Sequence, residues 1–524
     1  MEAMRSGLGR RLALAALSAV LYFVGFVGFG QSYLTWFCFV PILIATRDLT
    51  PKRAFLLGLP FGLMTHMGGY YWVNHLLTQF ANLAAPLAFL GYVLLCGYQG
   101  ASLALVVYAV RKGRDFGLPA WVALPAALAV VEWFYPFLFP SYVGNSLYQF
   151  TEVTQIVELF GMPGLSVLVG LVNGAVLEVV ESRIARRHPP LLPVVVPAVA
   201  FMAALGFGYL RSRELDAKAD AAEKLKIAII QTNLGAKDKH ERPAEFIRKH
   251  LEMSLAAEEL HPETELLVWP ESAYNAAIPR EVKNVSRVVT PGLTKPVIFG
   301  AITTDRQSGM RRIFNTAVVT SATGDILGKY DKIELLAFGE TIPLIDAFPS
   351  ISKLFPYTGT FTRGQIYENL PIRRASTSSV APAKPDVPLL PMICYEDIIP
   401  ELVRKLWNRA GPPEALVNIT NDSWYGNTHE PLIHLALASF RAIETRRALI
   451  RSTNTGISAV VDPAGRIVKR TGQWTEEALI ADIPLIKDGS TTLWLLIGPV
   501  LPYAGLAIFA AAWVRSRRRR VGTE

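Results

Sequence analysis

Eight long apolar runs restrict how this chain can fold more than any other feature does. They lie near residues 11–28, 33–46, 54–73, 84–110, 119–139, 160–180, 191–210 and 491–514. A helix needs about 20 apolar residues to cross roughly 30 Å of hydrocarbon, and most of the runs approach that length. The chain is 51% hydrophobic over 524 residues, which is too apolar for one soluble domain. We therefore expect a polytopic α-helical membrane domain with eight transmembrane helices.

The basic residues of the loops predict how these helices are oriented. Loops without Lys or Arg, such as "GFGQSY" and "NHLLTQFANLA", alternate with basic ones. The basic clusters are Arg5, Arg10 and Arg11; Arg47, Lys52 and Arg53; Arg111, Lys112 and Arg114; Arg183, Arg186 and Arg187; and "RSRRRR" at the end. The positive-inside rule then places both termini in the cytoplasm and residues 211–490 on the outer face, which in a bacterium is the periplasm. This topology also explains the net charge of +9 without nucleic acid as a partner.

Few ionisable residues lie inside the apolar runs. His66, His75 and Glu132 are the notable ones, whereas a transporter is expected to carry more, paired across its helix bundle. We therefore expect structural roles for these three residues. A binding module coupled to a transporter bundle is the alternative that this scarcity disfavours.

The chain changes character near residue 224, where short β-rich runs begin to alternate with polar helical stretches. "LKIAIIQTN", "ELLVWPE", "PVIFGAITT", "PMICYE" and "ALVNITND" read as buried strands, and residues 241–260 and 431–448 as helices. This pattern predicts a layered α/β domain. We expect three parts: a seven-helix membrane domain over 1–215, an outer domain over 216–488, and a final helix with a basic tail over 489–524. The Ser-, Pro- and Ala-rich stretch 373–388 is expected to form an exposed mobile loop.

Three polar residues follow strands of the outer domain and could act together. Glu271 follows "LLVWP", Lys332 follows "GKYD", and Cys394 follows "LLPMI". Taken singly, each has an ordinary explanation as a strand-end acid, a solvated lysine or a buried thiol. As a set they suit nucleophilic attack by a thiol, with the carboxylate as base and the ammonium stabilising an oxyanion.

Cys394 also precedes a predicted helix, "DIIPELVRKLW". We expect Asp397 to be its N-cap and Pro400 to lie in its first turn. The positive end of that helix dipole would then favour the Cys394 thiolate.

These motifs make the chain resemble a known family. Residues 224–484 resemble the nitrilase, or carbon-nitrogen hydrolase, superfamily at "WPE", "YDK" and "CYE". The apolar runs, "FGE", "NITNDSWYG" and "RSTNTGISAVVDPAG" extend the resemblance to the apolipoprotein N-acyltransferase family. It implies a nitrilase-like αββα sandwich in the outer domain.

The resemblance also implies a role for each motif residue. Glu271 would be the base, Lys332 the oxyanion stabiliser and Cys394 the acyl-bearing nucleophile, supported by Glu340, Tyr395 and Glu396. The chain departs from the family at His240, near which a tryptophan is usual, and at Ala337, where a proline is common.

The implied activity is transfer of an acyl chain from a phospholipid to the N-terminal diacylglyceryl-cysteine of apolipoproteins, the last step of bacterial lipoprotein maturation. The donor would be phosphatidylethanolamine or phosphatidylglycerol, the intermediate a thioester, and the enzyme a monomer of the bacterial inner membrane without cofactor or metal. The alternative is a membrane-anchored periplasmic amidase of the same superfamily, although one helix would suffice as its anchor.

Overall fold

The computed structural model describes residues 2–235, 238, 241–307, 310–337, 339–341, 350, 361–374 and 385–521. His240 and most of the stretch 373–388 lie outside the described residues. The chain divides into two compact units. The first comprises Met1–Arg213, Thr428–Ala436 and Thr492–Glu524, and the second Glu214–Asn427 and Leu437–Thr491.

The first unit is helical. Its α-helices are Glu2–Val24, Val40–Thr46, Pro51–Gly69, Trp72–His75, Ala85–Asp115, Ala120–Phe134, Thr151–Thr154, Val157–Ile184, Leu192–Ala221 (as far as Arg213), Glu430–Thr445 (as far as Ala436), Leu493–Ile497 and Val500–Val521. Short 3-10 helices at Ser32–Trp36 and Val143–Leu147 and a π-helix at Leu76–Phe80 connect them.

Four helices of the described residues are long and apolar enough to cross a membrane. Their candidate membrane-spanning segments are Gly7–Val24, Ala85–Asp115, Val157–Ile184 and Leu192–Ala221. The expectation of eight such helices is therefore confirmed only in part. The second expected span is divided between a 3-10 helix and the 7-residue helix Val40–Thr46. The helix Ala120–Phe134 has 15 residues and is only about 22 Å long.

Glycine residues allow two helices of this unit to pack closely. A Cβ atom added to Gly62 of the helix Pro51–Gly69 would lie 2.0 Å from the backbone oxygen of Gly100 in Ala85–Asp115. One turn earlier, a Cβ on Gly58 would lie 2.8 Å from the Cα of Ala104. Small residues at a membrane helix interface permit the close backbone approach that drives association in lipid.

His66 and Glu132 have structural contacts in this unit. The ring Nδ1 of His66 lies 3.0 Å from the backbone oxygen of Gly62, within the same helix. A carboxylate oxygen of Glu132 accepts a hydrogen bond of 2.8 Å from the backbone N–H of Val143. This hydrogen bond satisfies a backbone donor in the first turn of the 3-10 helix Val143–Leu147, where N–H groups have no partner within the helix.

The second unit is an α/β sandwich. Its strands are β1 Glu223–Gln231, β2 Leu266–Val268, β3 Tyr274–Pro279, β4 Val297–Gln307, β5 Met310–Thr320, β6 Ile326–Asp331, β7 Leu370–Ile372, β8 Val387–Ile393, β9 Ala415–Thr420, β10 Leu449–Thr453, β11 Ala459–Val461, β12 Ile467–Arg470 and β13 Glu477–Leu485. Its helices are Pro243–Leu260, Pro400–Ala410 and the part of Glu430–Thr445 that follows Ala436.

The strands form two mixed sheets that face each other. The first has the order β13-β1-β2-β4-β5-β6, with β3 beside β4, and the second has the order β12-β11-β10-β9-β8-β7. In the first sheet β1, β2 and β4 are parallel, and in the second β8, β9 and β10 are parallel. The sheets meet where β1 contacts β10, β13 contacts β9 and β5 contacts β8.

A buried core joins the helix Pro243–Leu260 to the first sheet. Trp269 and Phe299 are fully buried in this core, against apolar residues of the helix. The indole N–H of Trp269 donates a hydrogen bond of 2.8 Å to the hydroxyl of Ser254 on that helix. Loss of a buried aromatic side chain typically costs about 3–5 kcal/mol. This core thus fixes the chain immediately before Glu271.

Candidate active site

The sequence-predicted residues Glu271, Lys332 and Cys394 all lie just beyond strands of the sandwich. Glu271 follows β2 after Trp269 and Pro270, Lys332 directly follows β6, and Cys394 directly follows β8. β2 and β6 belong to the first sheet and β8 to the second. All three side chains are buried, with residue exposures of 6%, 2% and 8%.

Lys332 lies between two buried carboxylates. Its Nζ is 2.7 Å from Oε2 of Glu340 and 3.8 Å from Oε1 of Glu271. Burial opposes the lysine charge, but Glu340, the Cys394 sulfur and Glu271 outweigh it and hold the pKa of Lys332 above its usual value. Burial likewise opposes the charge of Glu340, yet Lys332 lowers the pKa of that carboxyl. The structure therefore brings together a permanent cation and two acids.

Asn315 of β5 links the same two acids, and the sequence reasoning missed it. Its Nδ2 donates hydrogen bonds of 2.7 Å to Glu271 and 2.9 Å to Glu340. Its backbone oxygen accepts a hydrogen bond of 2.8 Å from the N–H of Lys332. The sequence did contain a signal for this role. Asn315 comes just before the apolar run "TAVV", and a polar side chain on a buried strand needs a hydrogen-bond partner.

Cys394 has an uncommon backbone conformation at the turn after β8. Its φ angle is +51°, in the left-handed region that residues other than glycine rarely adopt. Burial first, and then the charge of Glu271, raise the pKa of the Cys394 thiol, while Lys332 and a hydrogen bond from the Thr420 hydroxyl act in the opposite direction. The net shift is upward, so the resting thiol is neutral and needs a base to become a nucleophile.

The expected helix N-terminus at Cys394 is wrong. Residues Cys394–Ile398 form a 3-10 helix, and the α-helix begins only at Pro400, with Ile399 as its N-cap. Asp397 is fully buried and pairs with Arg451, and Ile399 rather than Asp397 occupies the N-cap position. The macrodipole acts within the first turn of a helix, and Cys394 therefore lies outside its reach. Pro400 does lie in the first turn, as expected.

Glu396 connects the cysteine turn to the lysine turn. One carboxylate oxygen accepts hydrogen bonds from the backbone N–H groups of Ile333 at 2.7 Å and Glu334 at 3.0 Å. The other accepts from the N–H of Ile393 at 2.8 Å and the hydroxyl of Tyr330 at 3.0 Å. Complete burial raises the pKa of Glu396 to about 7, against the effect of these donors and of Lys332. One buried side chain thus holds together the turns that follow β6 and β8.

The remaining sequence-predicted residues are placed as follows. Tyr395 is partly buried directly after Cys394. Glu340 lies in a turn whose backbone N–H groups at 340 and 341 donate to the oxygen of Leu336, and Ala337 pairs with Thr341 in an isolated bridge. His240, where the family pattern has a tryptophan nearby, lies outside the described residues.

Comparisons with known proteins match both halves of the chain. Residues 18–175 match the family described as "Apolipoprotein N-acyltransferase N-terminal domain", and residues 226–490 match "Carbon-nitrogen hydrolase". The apolipoprotein N-acyltransferase of Geobacter metallireducens is 30% identical over 523 residues, covering 97% of this chain and 96% of that protein. The protein of the same name from Bdellovibrio bacteriovorus is 29% identical, covering 89% and 87%. Among solved structures, Nit3 of Saccharomyces cerevisiae, a nitrilase superfamily member, is 20% identical with a TM-score of 0.36, covering 50% of this chain and 90% of that one.

Proposed function

Because the chain belongs to the apolipoprotein N-acyltransferase family, we propose that it transfers an acyl chain from a phospholipid to the N-terminal diacylglyceryl-cysteine of apolipoproteins. The enzyme class is therefore an acyltransferase, and its substrate class is lipoproteins. We propose a two-step reaction through a thioester on Cys394. The buried set of Glu271, Lys332 and Cys394 at the strand ends supports this chemistry most directly.

In the first step Glu271 takes the proton of the Cys394 thiol as the sulfur attacks the ester carbonyl of the phospholipid. The carbonyl oxygen becomes an oxyanion, which the Lys332 ammonium and the backbone N–H of Tyr395 stabilise. The bond between the carbonyl carbon and the glycerol oxygen then breaks. Glu271 returns its proton to that oxygen, and a lysophospholipid leaves.

In the second step the free α-amine of the diacylglyceryl-cysteine attacks the thioester. Glu271 now takes a proton from the amine, and the same two donors stabilise the second oxyanion. The carbon–sulfur bond breaks, the sulfur recovers its proton from Glu271, and a stable amide forms. The thioester is reactive enough that the second step needs no nucleotide or metal. Burial of the three residues also restricts access of water, which would hydrolyse the thioester.

Glu340, Asn315 and Glu396 support this chemistry by position. Glu340 and Asn315 hold Lys332 and Glu271 through short contacts. Glu396 fixes the cysteine turn to the lysine turn. The same residues would serve an amidase of the superfamily, so the acceptor substrate must be tested.

The family and the apolar helices indicate a membrane protein. We propose that it spans the inner membrane with both termini in the cytoplasm and that residues 216–488 form a periplasmic catalytic domain. Residues 1–215 and 489–524 would provide the membrane domain and the last helix with its basic tail. The alternation of basic and uncharged loops supports this orientation.

The direct test supplies purified protein with phosphatidylethanolamine vesicles and a diacylated lipopeptide, and detects the product by mass spectrometry. We expect a triacylated lipopeptide, and a hydroxylamine-sensitive acyl adduct on Cys394 when the lipopeptide is omitted. Cys394→Ser should abolish both signals, while Cys96→Ser, which changes another buried thiol, should retain them. Ammonia release from small amides, without lipopeptide acylation, would instead identify an amidase.

A further inference from the structure

The turn at Cys394 needs support from outside the turn. A left-handed φ angle at a cysteine is unfavourable and persists only where neighbouring groups fix it. The 3-10 helix that begins at Cys394 has only 5 residues and offers little such support, because 3-10 hydrogen bonds generally have poorer geometry than those of an α-helix. The described contacts of Cys394 identify the neighbouring strand β9 as one source of support.

Two side chains of β9 lie next to Cys394, one at its backbone oxygen and the other beside its side chain. Asn418 lies opposite Met392 in the parallel pairing of β9 with β8, and Thr420 projects from the same face because side chains of a strand alternate. The Nδ2 of Asn418 donates a hydrogen bond of 3.1 Å to the backbone oxygen of Cys394. Ile419 pairs with Ile393, so the next residues along the two strands, Thr420 and Cys394, are neighbours, and the Thr420 hydroxyl favours the ionised sulfur. One strand therefore holds the backbone of Cys394 and places a hydroxyl group next to its side chain.

Arg451 of β10 fixes these two side chains in turn. It lies opposite Asn418 in the pairing of β10 with β9, and its Nη1 donates a hydrogen bond of 3.0 Å to Oδ1 of Asn418. Its Nη2 contacts Asp422 at 3.0 Å, and Asp422 also accepts from the Thr420 hydroxyl at 3.4 Å. The guanidinium thus contacts Asn418 directly and Thr420 through Asp422.

The same guanidinium reaches the cysteine turn from the other side. Its Nη1 contacts Oδ2 of Asp397 at 2.5 Å, and Asp397 belongs to the 3-10 helix that begins at Cys394. Arg451, Asp397 and Asn418 are 0% exposed, and Asp422 is 1% exposed. A buried ion cluster of this kind often stabilises a fold no more than apolar residues of the same volume would. The contacts of this cluster instead act on Cys394, through Asn418 on one side and through Asp397 on the other.

We propose that Arg451 and Asn418 are positioning residues for Cys394 and that the Thr420 hydroxyl contacts the sulfur to stabilise its ionised form. The inference rests on the proposed function in one respect: it assigns these residues to the formation of the acyl-enzyme. Thr420 can donate its proton to Asp422 while the thiol is neutral and to the sulfur once Glu271 has taken the thiol proton. No proton is gained or lost by the hydroxyl in this exchange of acceptors.

The test measures the rate at which iodoacetamide alkylates Cys394 at about pH 8, with mass spectrometry reporting the modified site. Only the thiolate reacts, and the raised pKa of Cys394 keeps the thiolate fraction small, so the rate is proportional to that fraction. Thr420→Val removes the hydroxyl but keeps the shape, and it should slow alkylation about 10-fold, the effect of one hydrogen bond to a charged group. Thr420→Ser keeps the hydroxyl and should restore the rate. A merely structural role of Thr420 would lower the melting temperature without slowing alkylation, and that result would overturn the assignment.

Asn418 is tested by the rate of acyl-enzyme formation from phosphatidylethanolamine. Asn418→Leu should slow it roughly 100-fold, because a nucleophile displaced by about 1 Å loses about that much. Asn369→Leu is the matched control: Asn369 also donates through Nδ2 to backbone oxygens, of Ala410 and Gly411, but away from Cys394. Equal rates for the two variants would refute the positioning role. Arg451→Lys keeps the charge but loses the planar fork, and it should slow the same step about 10-fold.

The alkylation experiment is independent of the proposed function, because it needs no lipid and no lipoprotein. Slower alkylation in Thr420→Val, without triacylated product from the wild type, would refute the acyl transfer and retain the thiol assignment. Unchanged alkylation in Thr420→Val, with normal lipopeptide acylation by the wild type, would refute the thiol assignment and retain the acyl transfer.

Discussion

Lys332 has a charge that depends on its two acidic neighbours. Its ammonium lies 2.7 Å from Glu340 and 3.8 Å from Glu271 in an almost fully buried position. The raised pKa of Lys332 keeps it protonated across the pH range in which an enzyme works. A fixed cation of this kind can stabilise an oxyanion without reorganisation during the reaction.

Replacement of Lys332 by methionine should reduce lipopeptide acylation by about 100- to 1,000-fold, the usual effect of removing one oxyanion donor. It should also lower the melting temperature, because breaking a buried ion pair typically costs about 3–5 kcal/mol. Lys329→Met is the matched control, since Lys329 lies on the same strand β6 and its ammonium donates a hydrogen bond of 2.9 Å to the backbone oxygen of Arg280. Acylation by Lys332→Met at wild-type rate would contradict the assignment.

Glu396 makes the stability of the second unit depend on pH. Burial raises its pKa from 4.5 to about 7 in the folded protein. Folding therefore favours the protonated carboxyl. The contribution is complete below the unfolded value of about 4.5 and is lost as the pH rises through about 7. A difference of this size corresponds to roughly 3 kcal/mol.

We expect the wild-type melting temperature to fall between about pH 5 and about pH 8 relative to that of Glu396→Gln, because glutamine does not ionise. Glu334→Gln is the control, since Glu334 is a neighbouring but partly exposed carboxylate whose partner is Arg363. Parallel melting curves for the wild type and Glu396→Gln over this range would show that Glu396 does not titrate as described.

Parallel strands explain why residues far apart in the sequence form one site. The carboxyl ends of neighbouring parallel strands meet at one edge of a sheet, where functional residues of α/β proteins are usually found. Glu271 follows β2, Cys394 follows β8, and Asn418 and Thr420 lie at the end of β9. The carboxyl end of each of these strands thus places its residues at the sheet edge where the Cys394 thiol lies.

Sequence patterns predicted most of these strands but not all of the site. Buried strands such as β1, β4, β8 and β9 read clearly because each is a continuous apolar run. The shorter β7 and β12 have too few residues for a periodic signal. Asn315 and Arg451 acquire their roles only through the long-range pairing of strands, which no local pattern reports. Asp397 was misread for the same reason: its partner Arg451 is remote in the sequence.

Packing between the helices Pro51–Gly69 and Ala85–Asp115 depends on close contact between their glycine residues. A Cβ atom on Gly100 would lie 2.4 Å from the backbone of Gly62, whereas a Cβ on Gly97 of the same helix would lie 4.0 Å from the nearest atom, in Leu63. Gly100→Ala should therefore lower the melting temperature in detergent, by an amount equivalent to about 1–3 kcal/mol of overpacking. Gly97→Ala should melt as the wild type does, and equal melting of the two variants would refute this interface.

Orientation in the membrane is a property of the whole molecule. Every second loop is basic in the first half of the chain, and the last helix ends in an arginine-rich tail. Within the part of the chain that the structure describes, four helices are long and apolar enough to span a membrane, and the remaining apolar runs give shorter helices or helices with charged ends.

A cysteine placed in each expected compartment tests this orientation. In spheroplasts, a membrane-impermeant maleimide should label Glu259→Cys, an exposed position of the outer domain, without permeabilisation. Arg517→Cys, exposed in the C-terminal tail, should be labelled only after permeabilisation. Labelling of both variants in intact spheroplasts would refute the proposed topology.

The two acids around Lys332 have a consequence for the whole catalytic cycle. Two carboxylates, one ammonium and a neutral thiol sum to one negative charge. Under the proposed mechanism, the proton lost by sulfur goes to Glu271, and the same sum holds for the thiolate, for each oxyanion and for the thioester. No counterion has to enter or depart at any stage. The net charge of the groups around the reacting atoms can therefore stay constant from binding of the acyl donor to release of the amide product.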